Sequence, residues 1–145
     1  MSIGVRDGTP GDAAALAPAF AALGYPAEPA TLRERLTRML AADSTARSLV
    51  ASDGEIIVGF ATLHETPMPH RPTNAGRITA IAVIESARGS SAGRLLVEAA
   101  EAHFRSRGVR RIEVTSGDNH AAAHPFYRHL GSADNGIRLS KEFGE

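Results

Sequence analysis

The stretch ITAIAVIESARGSSAGRLL, residues 78–96, decides the fold. Its first part, up to Ile84, is β-branched and mostly apolar, which predicts a strand that ends at Glu85. A loop of small residues with one arginine follows, Arg88-Gly89-Ser90-Ser91-Ala92-Gly93. Residues at helical spacing then form one face, with charged residues opposite, which predicts an amphipathic helix. The positions on that first face are Leu95, Leu96, Ala99, Ala100 and His103.

A strand, a small-residue loop and a helix in this order are typical of a phosphate-binding site. The first turn of a helix has backbone N–H groups without intrahelical acceptors, and the helix dipole is positive there. Small side chains let a phosphate or pyrophosphate approach the backbone closely, and Arg88 adds a charged hydrogen bond. An ordinary solvated arginine is the alternative interpretation of Arg88.

The same stretch resembles motif A of the GNAT N-acetyltransferases. Their acetyl-CoA signature is Q/R-x-x-G-x-G/A, behind a strand that ends in a small residue and valine. Here the strand ends in Ala82-Val83 and the signature reads Arg88-x-x-Ser91-x-Gly93, so that Ser91 replaces the first glycine. A second motif, Ala123-His124-Pro125-Phe126-Tyr127 followed by Leu130-Gly131, is similar to the family's A-H-x-F-Y-x-x-x-G.

The resemblance implies an α/β (α+β) acyl-CoA N-acyltransferase fold, with residues 1–145 as a single domain. In this fold a mixed central sheet has helices on both faces, and its fourth and fifth strands splay apart. The chain predicts the matching order, β-α-α-β-β-β-α-β-α-β. The strands are predicted at residues 3–6, 48–52, 55–64, 78–84, 111–116 and 137–143. The helices are predicted at residues 13–23, 30–42 and 119–130, and a further helix runs from the central loop to Gly108.

Local signals mark the ends of several elements. Asp12 is predicted to cap the first helix, Pro18 to kink or split it, and Gly24 to end it. Asp53-Gly54 predicts a hairpin turn. If Ser91 needed the backbone conformation of a glycine, it would store about 1–2 kcal/mol of strain. Alternatively, the hydroxyl of Ser90 or Ser91 caps the helix or binds phosphate.

The resemblance also implies the site residues. Acetyl-CoA is the cosubstrate, its thioester carbonyl is held by strand-four backbone, and Tyr127 protonates the departing thiolate. Tyr127 with Phe126 is alternatively a pair of core aromatics, and Asn119 is alternatively a helix cap. The implied cofactor-contacting residues are Ile81, Ala82, Val83, Arg88, Gly89, Ser90, Ser91, Ala92, Gly93, Arg94 and Asn119.

The general base is less well defined. Glu65 is the candidate, at the end of the third strand where the acceptor cleft is expected, and His64, Glu113 or a water chain are the alternatives. Both Glu65 and His64 also fit as plain polar residues at a strand end. His120 and His124 are spaced to share a helix face as metal ligands, but no third ligand accompanies them, so no metal is predicted.

Composition narrows the function classes. The 145 residues include 16 Lys+Arg and 16 Asp+Glu, a formal net charge of zero, which argues against a general nucleic-acid or membrane-surface binder. The absence of cysteine excludes disulfides and a Cys acyl-enzyme. No apolar run approaches the ~20 residues of a membrane span, and no signal peptide is recognisable, so a cytoplasmic location is expected.

We therefore expect transfer of an acetyl group from acetyl-CoA to a primary amine of a small molecule, by direct attack in a ternary complex. An N-terminal protein or peptide acetyltransferase is the alternative enzyme. A catalytically degenerate acyl-CoA-binding module is also open, because Ser91 and Ser132 depart from the family pattern. Homodimers are common in this family, which leaves both a monomer and a homodimer open. Residues 89–93 also match the hydrolase elbow G-x-S-x-G, but four residues separate the strand from that loop, which disfavours it.

Overall fold

The computed structural model describes residues 2–114 and 141–144. The elements within these residues confirm the first eight elements of the predicted order. None of the described helices is long and apolar enough to cross a membrane. Along the chain the elements are strand β1 (Ile3–Asp7), helices α1 (Ala13–Leu23) and α2 (Pro29–Ala42), strands β2 (Arg47–Asp53), β3 (Ile56–Thr66) and β4 (Ala75–Val83), helix α3 (Ala92–Ser106) and strand β5 (Arg111–Val114).

The chain divides into two compact units, residues 1–114 and 115–145. All eight elements belong to the first unit. In the second unit, residues 141–144 are irregular, so the last strand was predicted wrongly at its end. Its final residues, Lys141 to Phe143, include two charged side chains and precede a glycine, which gives little strand propensity. The helix predicted at 119–130 lies outside the described residues, and the single domain over 1–145 stays a prediction.

The five strands form one sheet in sequence order, β1-β2-β3-β4-β5. The first four are antiparallel, whereas β4 and β5 are parallel and are joined through α3. The predicted hairpin is confirmed, because Asp53 pairs with Ile56 and Gly54 has a φ of 63°. The mixed sheet is therefore confirmed. The ladder between β4 and β5 is described as far as Ile78 and Val114, so the splay of these strands stays a prediction.

Helices cover both faces of the sheet, as predicted. On one face, Leu96, Ala100 and Phe104 of α3 are fully buried in a cluster with sheet residues. On the other face, α1 and α2 pack against the sheet, where Phe20 stacks on Phe60 with ring centroids 4.1 Å apart. Each large apolar side chain buried in this way stabilises the fold by about 1.5–3 kcal/mol. The sheet residues involved are Leu49, Ala51, Ala61, Leu63 and Ile78 on the α3 face, and Val50, Ile57 and Phe60 on the α1–α2 face.

The buried stripe of α3 is rotated from the predicted one. Leu95, Ala99 and His103 are only half-buried, while Phe104 is fully buried against β4. A Cβ atom at Gly76 would lie 2.8 Å from the Phe104 ring, so the glycine is what lets the ring reach the backbone of the strand. This contact fixes the rotation of the helix. The buried residues of α3 are Ala92, Leu96, Val97, Ala100 and Phe104.

The ends of α1 differ in how well they follow their predicted signals. Gly24 ends the helix with a φ of 101°, as predicted, and Pro18 lies inside a single helix that it does not split. Asp12 makes no side-chain cap to this helix. Its carboxylate instead accepts hydrogen bonds from Arg6 at 2.9 and 3.0 Å and from the Thr9 N–H at 2.9 Å. The Arg6 guanidinium, chiefly, holds the pKa of Asp12 below its usual value.

Candidate active site

Strand β4 carries a β-bulge at Thr79. Thr62 pairs with Ala80 and Leu63 pairs with Ile78, so Thr79 is the extra residue on β4. The Thr79 hydroxyl lies 2.7 Å from the Thr62 hydroxyl and donates to the Thr62 carbonyl oxygen at 3.1 Å. Bulges interrupt pairing, re-aim neighbouring groups and are common beside active sites.

The exposure of β4 changes at the bulge. Ala75, Gly76 and Ile78 are buried, whereas Thr79 is exposed and residues 80–83 are half-buried. Pairing with β3 continues as far as Val83. On its other side, the ladder of β4 with β5 is described as far as Ile78 and Val114. If the two strands separate beyond this point, as predicted, the backbone N–H and C=O groups of β4 can bind an amide-bearing ligand as an added strand. The predicted carbonyl-holding residues, Ile81, Ala82 and Val83, lie in this segment.

The loop after β4 contains the predicted phosphate-binding residues. A 3₁₀ turn, Glu85–Ala87, comes first, and then Gly89 adopts a φ of 82°. Ser91 has a φ of −77° and a ψ of −1°, so this position does not need a glycine and stores no backbone strain. Arg88 is exposed and has no ion-pair partner among the described residues, which leaves its guanidinium available to an anion.

The start of α3 is capped by Ser90 and not by Ser91. The Ser90 hydroxyl accepts a hydrogen bond from the Ala92 N–H at 3.3 Å and donates to the Ala87 carbonyl oxygen. The N–H groups of Gly93 and Arg94 follow in the first turn, where an N–H group has no carbonyl acceptor within the helix. Arg94 itself forms an ion pair with Glu98 at 3.0 Å. The donors that this loop offers to a pyrophosphate are therefore mainly backbone groups and Arg88.

Glu65 is buried at the far end of β3 from this loop. It pairs with Gly76, whereas the end of β4 at Val83 pairs with Gly59. The Glu65 side chain is 2% exposed and accepts a hydrogen bond from Arg107 Nε at 2.6 Å. Asn74 Nδ2 donates to its other oxygen at 3.2 Å. Both carboxylate oxygens are thus occupied, and the role of Glu65 as general base stays a prediction.

A row of polar side chains crosses the face of the sheet on which α1 and α2 pack, opposite to the α3 face. His64 shares the strand phase of Phe60, which packs with α1 and α2. Its cross-strand partner is Arg77, whose own partner on β5 is Glu113. Arg77 Nη1 lies 3.9 Å and Arg111 Nε lies 3.1 Å from the Glu113 carboxylate. We call His64, Arg77, Arg111 and Glu113 the polar row. It leads toward Thr79, two residues beyond Arg77.

Asp43 anchors one end of the polar row. Its Oδ2 atom lies 3.7 Å from His64 Nδ1, and its Oδ1 atom accepts hydrogen bonds from the Thr45 hydroxyl at 2.7 Å and the Thr45 N–H at 2.8 Å. These bonds, chiefly, lower the pKa of Asp43, so it is ionised at neutral pH and attracts the Nδ1 side of the imidazole. Asp43 and Arg77 were not singled out from the sequence, because pairing across strands leaves no local signal.

Several predicted residues lie outside the described part of the chain. They are Tyr127, Asn119 and the histidines at 120 and 124. In residues 2–114 and 141–144, no group of three His, Cys, Asp or Glu side chains is arranged to hold a metal ion. The structure therefore brings together the predicted residues from 81 to 94 and separates Glu65 from them.

The mixed sheet with helices on both faces, the bulged β4 and the small-residue loop at the start of α3 are the arrangement of an acyltransferase fold. The sequence matches the model of the acetyltransferase (GNAT) family over residues 15–131, which is more than half of the chain. The chain belongs to this family and is an acetyltransferase, as its motifs implied.

Solved structures share this fold over almost the whole chain. A transcriptional regulator from Bacillus halodurans C-125 is 24% identical, with a TM-score of 0.87 and coverage of 98% of this chain and 100% of that one. A ribosomal-protein-alanine N-acetyltransferase from Brucella melitensis biovar Abortus 2308 is 18% identical, with a TM-score of 0.83 and coverage of 99% and 100%. A glucosamine-6-phosphate N-acetyltransferase from Arabidopsis thaliana is 17% identical, with a TM-score of 0.82 and coverage of 99% and 100%. At these identities the likeness shows the fold alone. No curated protein matches the sequence.

Proposed function

We propose that this acetyltransferase uses acetyl-CoA to acetylate a primary amine of a small molecule, by direct attack in a ternary complex. The observation that carries the proposal is the partly exposed segment of β4 that begins at the Thr79 bulge and leads directly into the small-residue loop and the first turn of α3. An extended ligand with a pyrophosphate at one end and amides along its arm fits this arrangement.

The residues of the loop suit acetyl-CoA. Arg88 and the N–H groups of Gly93 and Arg94 would hold the pyrophosphate, and Gly89, Ser90, Ser91 and Ala92 keep the approach free of large side chains. The backbone of Ile81, Ala82 and Val83 would orient the arm and polarise the thioester carbonyl. Asn119 is proposed to contact the same arm. The cosubstrate supplies the activated acetyl group.

The reaction moves one proton at each end. The amine nitrogen forms a bond to the acetyl carbon, and the C–S bond breaks. The amine gives up a proton to a base, and the departing thiolate takes a proton from an acid, proposed to be Tyr127.

Two neighbouring residues of β3 compete for the role of base. Glu65 would have to give up its bond to Arg107 before it could accept a proton. His64 belongs to the polar row and its side chain is 31% exposed. Asp43 lies next to its Nδ1 atom, so its Nε2 atom is directed away from that carboxylate. These contacts favour His64.

Binding of acetyl-CoA is the first test. A thermal shift with acetyl-CoA, with ATP as a control, should show added stability of about 2.7 kcal/mol at a hundredfold excess over Kd. The absence of a shift at millimolar ligand would overturn the proposal. Binding without turnover on a broad amine panel would favour an acyl-CoA-binding module, and turnover of peptides alone would favour an N-terminal acetyltransferase. A cytoplasmic location and a homodimer remain predictions.

Substitutions then test the chemistry. Tyr127→Phe should lower kcat by about 10²-fold or more, with little change in acetyl-CoA affinity. His64→Gln should lower kcat by about 10²-fold or more, whereas Glu65→Gln should leave kcat nearly unchanged. The reverse result for the two β3 variants would assign the base to Glu65.

A further inference from the structure

A groove of about 390 Å³ lies where β4 and β5 begin. We call it the arginine groove. It is at the opposite end of β4 from the small-residue loop, and no residue predicted from motif A contributes to it. Its polar lining residues are Arg71, Thr73, Asn74, Arg110 and Arg111.

The loops that form the groove carry positive charge only. The two loops that form it, residues 67–74 and 107–110, contain Arg71, Arg107 and Arg110 and no aspartate or glutamate, although the whole chain has a net charge of zero. Two described carboxylates next to the groove are already engaged. Glu65 is bound by Arg107, and Glu113 lies between Arg77 and Arg111.

Arg71 and Arg110 are the arginines of the groove lining whose guanidinium groups have no hydrogen bond or ion pair with any described residue. Both residues are exposed, and the one hydrogen bond of Arg71 to a described residue runs from its backbone N–H to the Met68 carbonyl oxygen. A guanidinium offers several N–H donors in a planar fork that matches phosphate and carboxylate oxygens. The Thr73 hydroxyl adds a neutral donor. None of the lining residues that the structure describes is negatively charged, so the groove suits an oxyanion.

The wall of the groove is fixed from behind. Glu65 binds Asn74 with one carboxylate oxygen and Arg107 with the other, at 3.2 and 2.6 Å. It thereby ties the loop before β4 to the end of α3. A wall held in this way has less freedom to lose when a ligand binds, which favours affinity. In this arrangement Glu65 is a positioning residue of the groove.

The groove continues into the polar row. Ala75 lines the groove, and Ala75, Arg77 and Thr79 alternate along β4 on one face. At about 3.3 Å per residue, the distance from Ala75 to the exposed Thr79 is about 13 Å. A small molecule with an anionic group in the groove can therefore extend along the row to the bulge at Thr79.

We infer that the arginine groove binds the phosphate or carboxylate group of the amine acceptor. The inference rests on the proposed acetyl transfer, because it places the amine beside Thr79 and His64. The acceptor is then a primary amine with an oxyanion at a separation of the order of 10 Å. A free anion that binds the groove without being part of the acceptor is the competing source of the same chemistry.

A matched pair of acceptors tests this inference. The first is 6-aminohexyl phosphate and the second is 6-aminohexanol, which lacks only the phosphate; 8-aminooctanoate and its amide form the carboxylate pair. In Arg71→Ala/Arg110→Ala, KM for the anionic amines should rise about tenfold or more, with kcat and the KM of the neutral amines little changed. Arg105→Ala, which removes an exposed arginine of α3 outside the groove, should change none of these values.

Other results of the same measurements would contradict the inference. An equal rise of KM for charged and neutral amines, or no rise at all, would overturn the inference. The single variants Arg71→Gln and Arg110→Gln keep much of the side-chain length, and each should give part of the effect if the double variant folds poorly. Inorganic phosphate should compete with 6-aminohexyl phosphate in the wild type. Phosphate that binds the groove without competing would show a free-anion site and would also overturn the inference.

Calorimetry without acetyl-CoA separates the two proposals. Binding of 6-aminohexyl phosphate that is lost in Arg71→Ala/Arg110→Ala, with no turnover of any amine, would support the groove as an oxyanion site and refute acetyl transfer. Equal kcat/KM for the phosphate and the alcohol would support acetyl transfer and refute the groove.

Discussion

The two ends of β4 offer anions different partners. At the end that leads into α3, the loop is built from glycine, serine and alanine, and the proposed donors are backbone N–H groups and Arg88. At the start of β4, the proposed donors are side chains, chiefly those of Arg71 and Arg110. A backbone site demands small residues at fixed positions, whereas a side-chain site demands only that distant arginines meet. The first kind leaves a motif in the sequence, and the second does not.

The largest effect should come from the packing beneath the start of β4. Phe104→Ala removes a fully buried ring that rests on Gly76, and should lower the free energy of unfolding by about 3–5 kcal/mol. Urea denaturation measures this loss.

Acetyl-CoA affinity of the folded Phe104→Ala variant then tests whether the two ends are independent. If they are, its Kd should be close to that of the wild type. A large increase in Kd would show that the ends of β4 are coupled through α3.

Arg88→Ala tests the proposed pyrophosphate site at the end of β4 that leads into α3. A charged hydrogen bond contributes about 1.5–3 kcal/mol, so Kd for acetyl-CoA should rise about 10- to 100-fold. Calorimetry measures the Kd, and Arg105→Ala is the control for loss of a positive charge. An unchanged Kd would mean that Arg88 is an ordinary surface residue and that backbone groups alone hold the pyrophosphate.

Ser91→Gly should have the smallest effect. Ser91 already has helical backbone angles, so a glycine relieves no strain and instead costs about 0.5–1 kcal/mol of stability through its greater freedom in the unfolded chain. Kd for acetyl-CoA should stay nearly constant, because Ser90 supplies the cap. A large loss of affinity would show that the Ser91 hydroxyl binds the pyrophosphate directly.

The sequence was sufficient to predict most of the fold because its signals are local. The hairpin at Gly54, the end of α1 at Gly24 and the strand–loop–helix unit around Arg88 each depend on residues close together in the chain. The rotation of α3 was predicted wrongly, since two neighbouring stripes of apolar residues were available. The choice between them depends on the contact of Phe104 with Gly76, and these residues are far apart in sequence.

The place of the candidate site in the fold could be predicted for the same reason. Residues 81–94 form one continuous segment, and their motif could be read directly, whereas their contacts with acetyl-CoA stay predictions. Glu65 was singled out as a polar residue at a strand end, but its burial depends on Arg107 and Asn74, which only the folded chain brings to it. The polar row and the arginine groove are formed across strands and loops, where no spacing rule applies.

The strand order of the sheet has a consequence for how the chain folds during synthesis. Each described strand pairs with the strand that precedes it in sequence, so the sheet can grow in the direction of translation without opening a ladder that has already formed. Domains fold as they emerge from the ribosome, and pairing between near neighbours in sequence favours fast folding. We expect β1 to β4 to be assembled before β5 has emerged, which limits the time that an unpaired apolar strand is exposed to other chains.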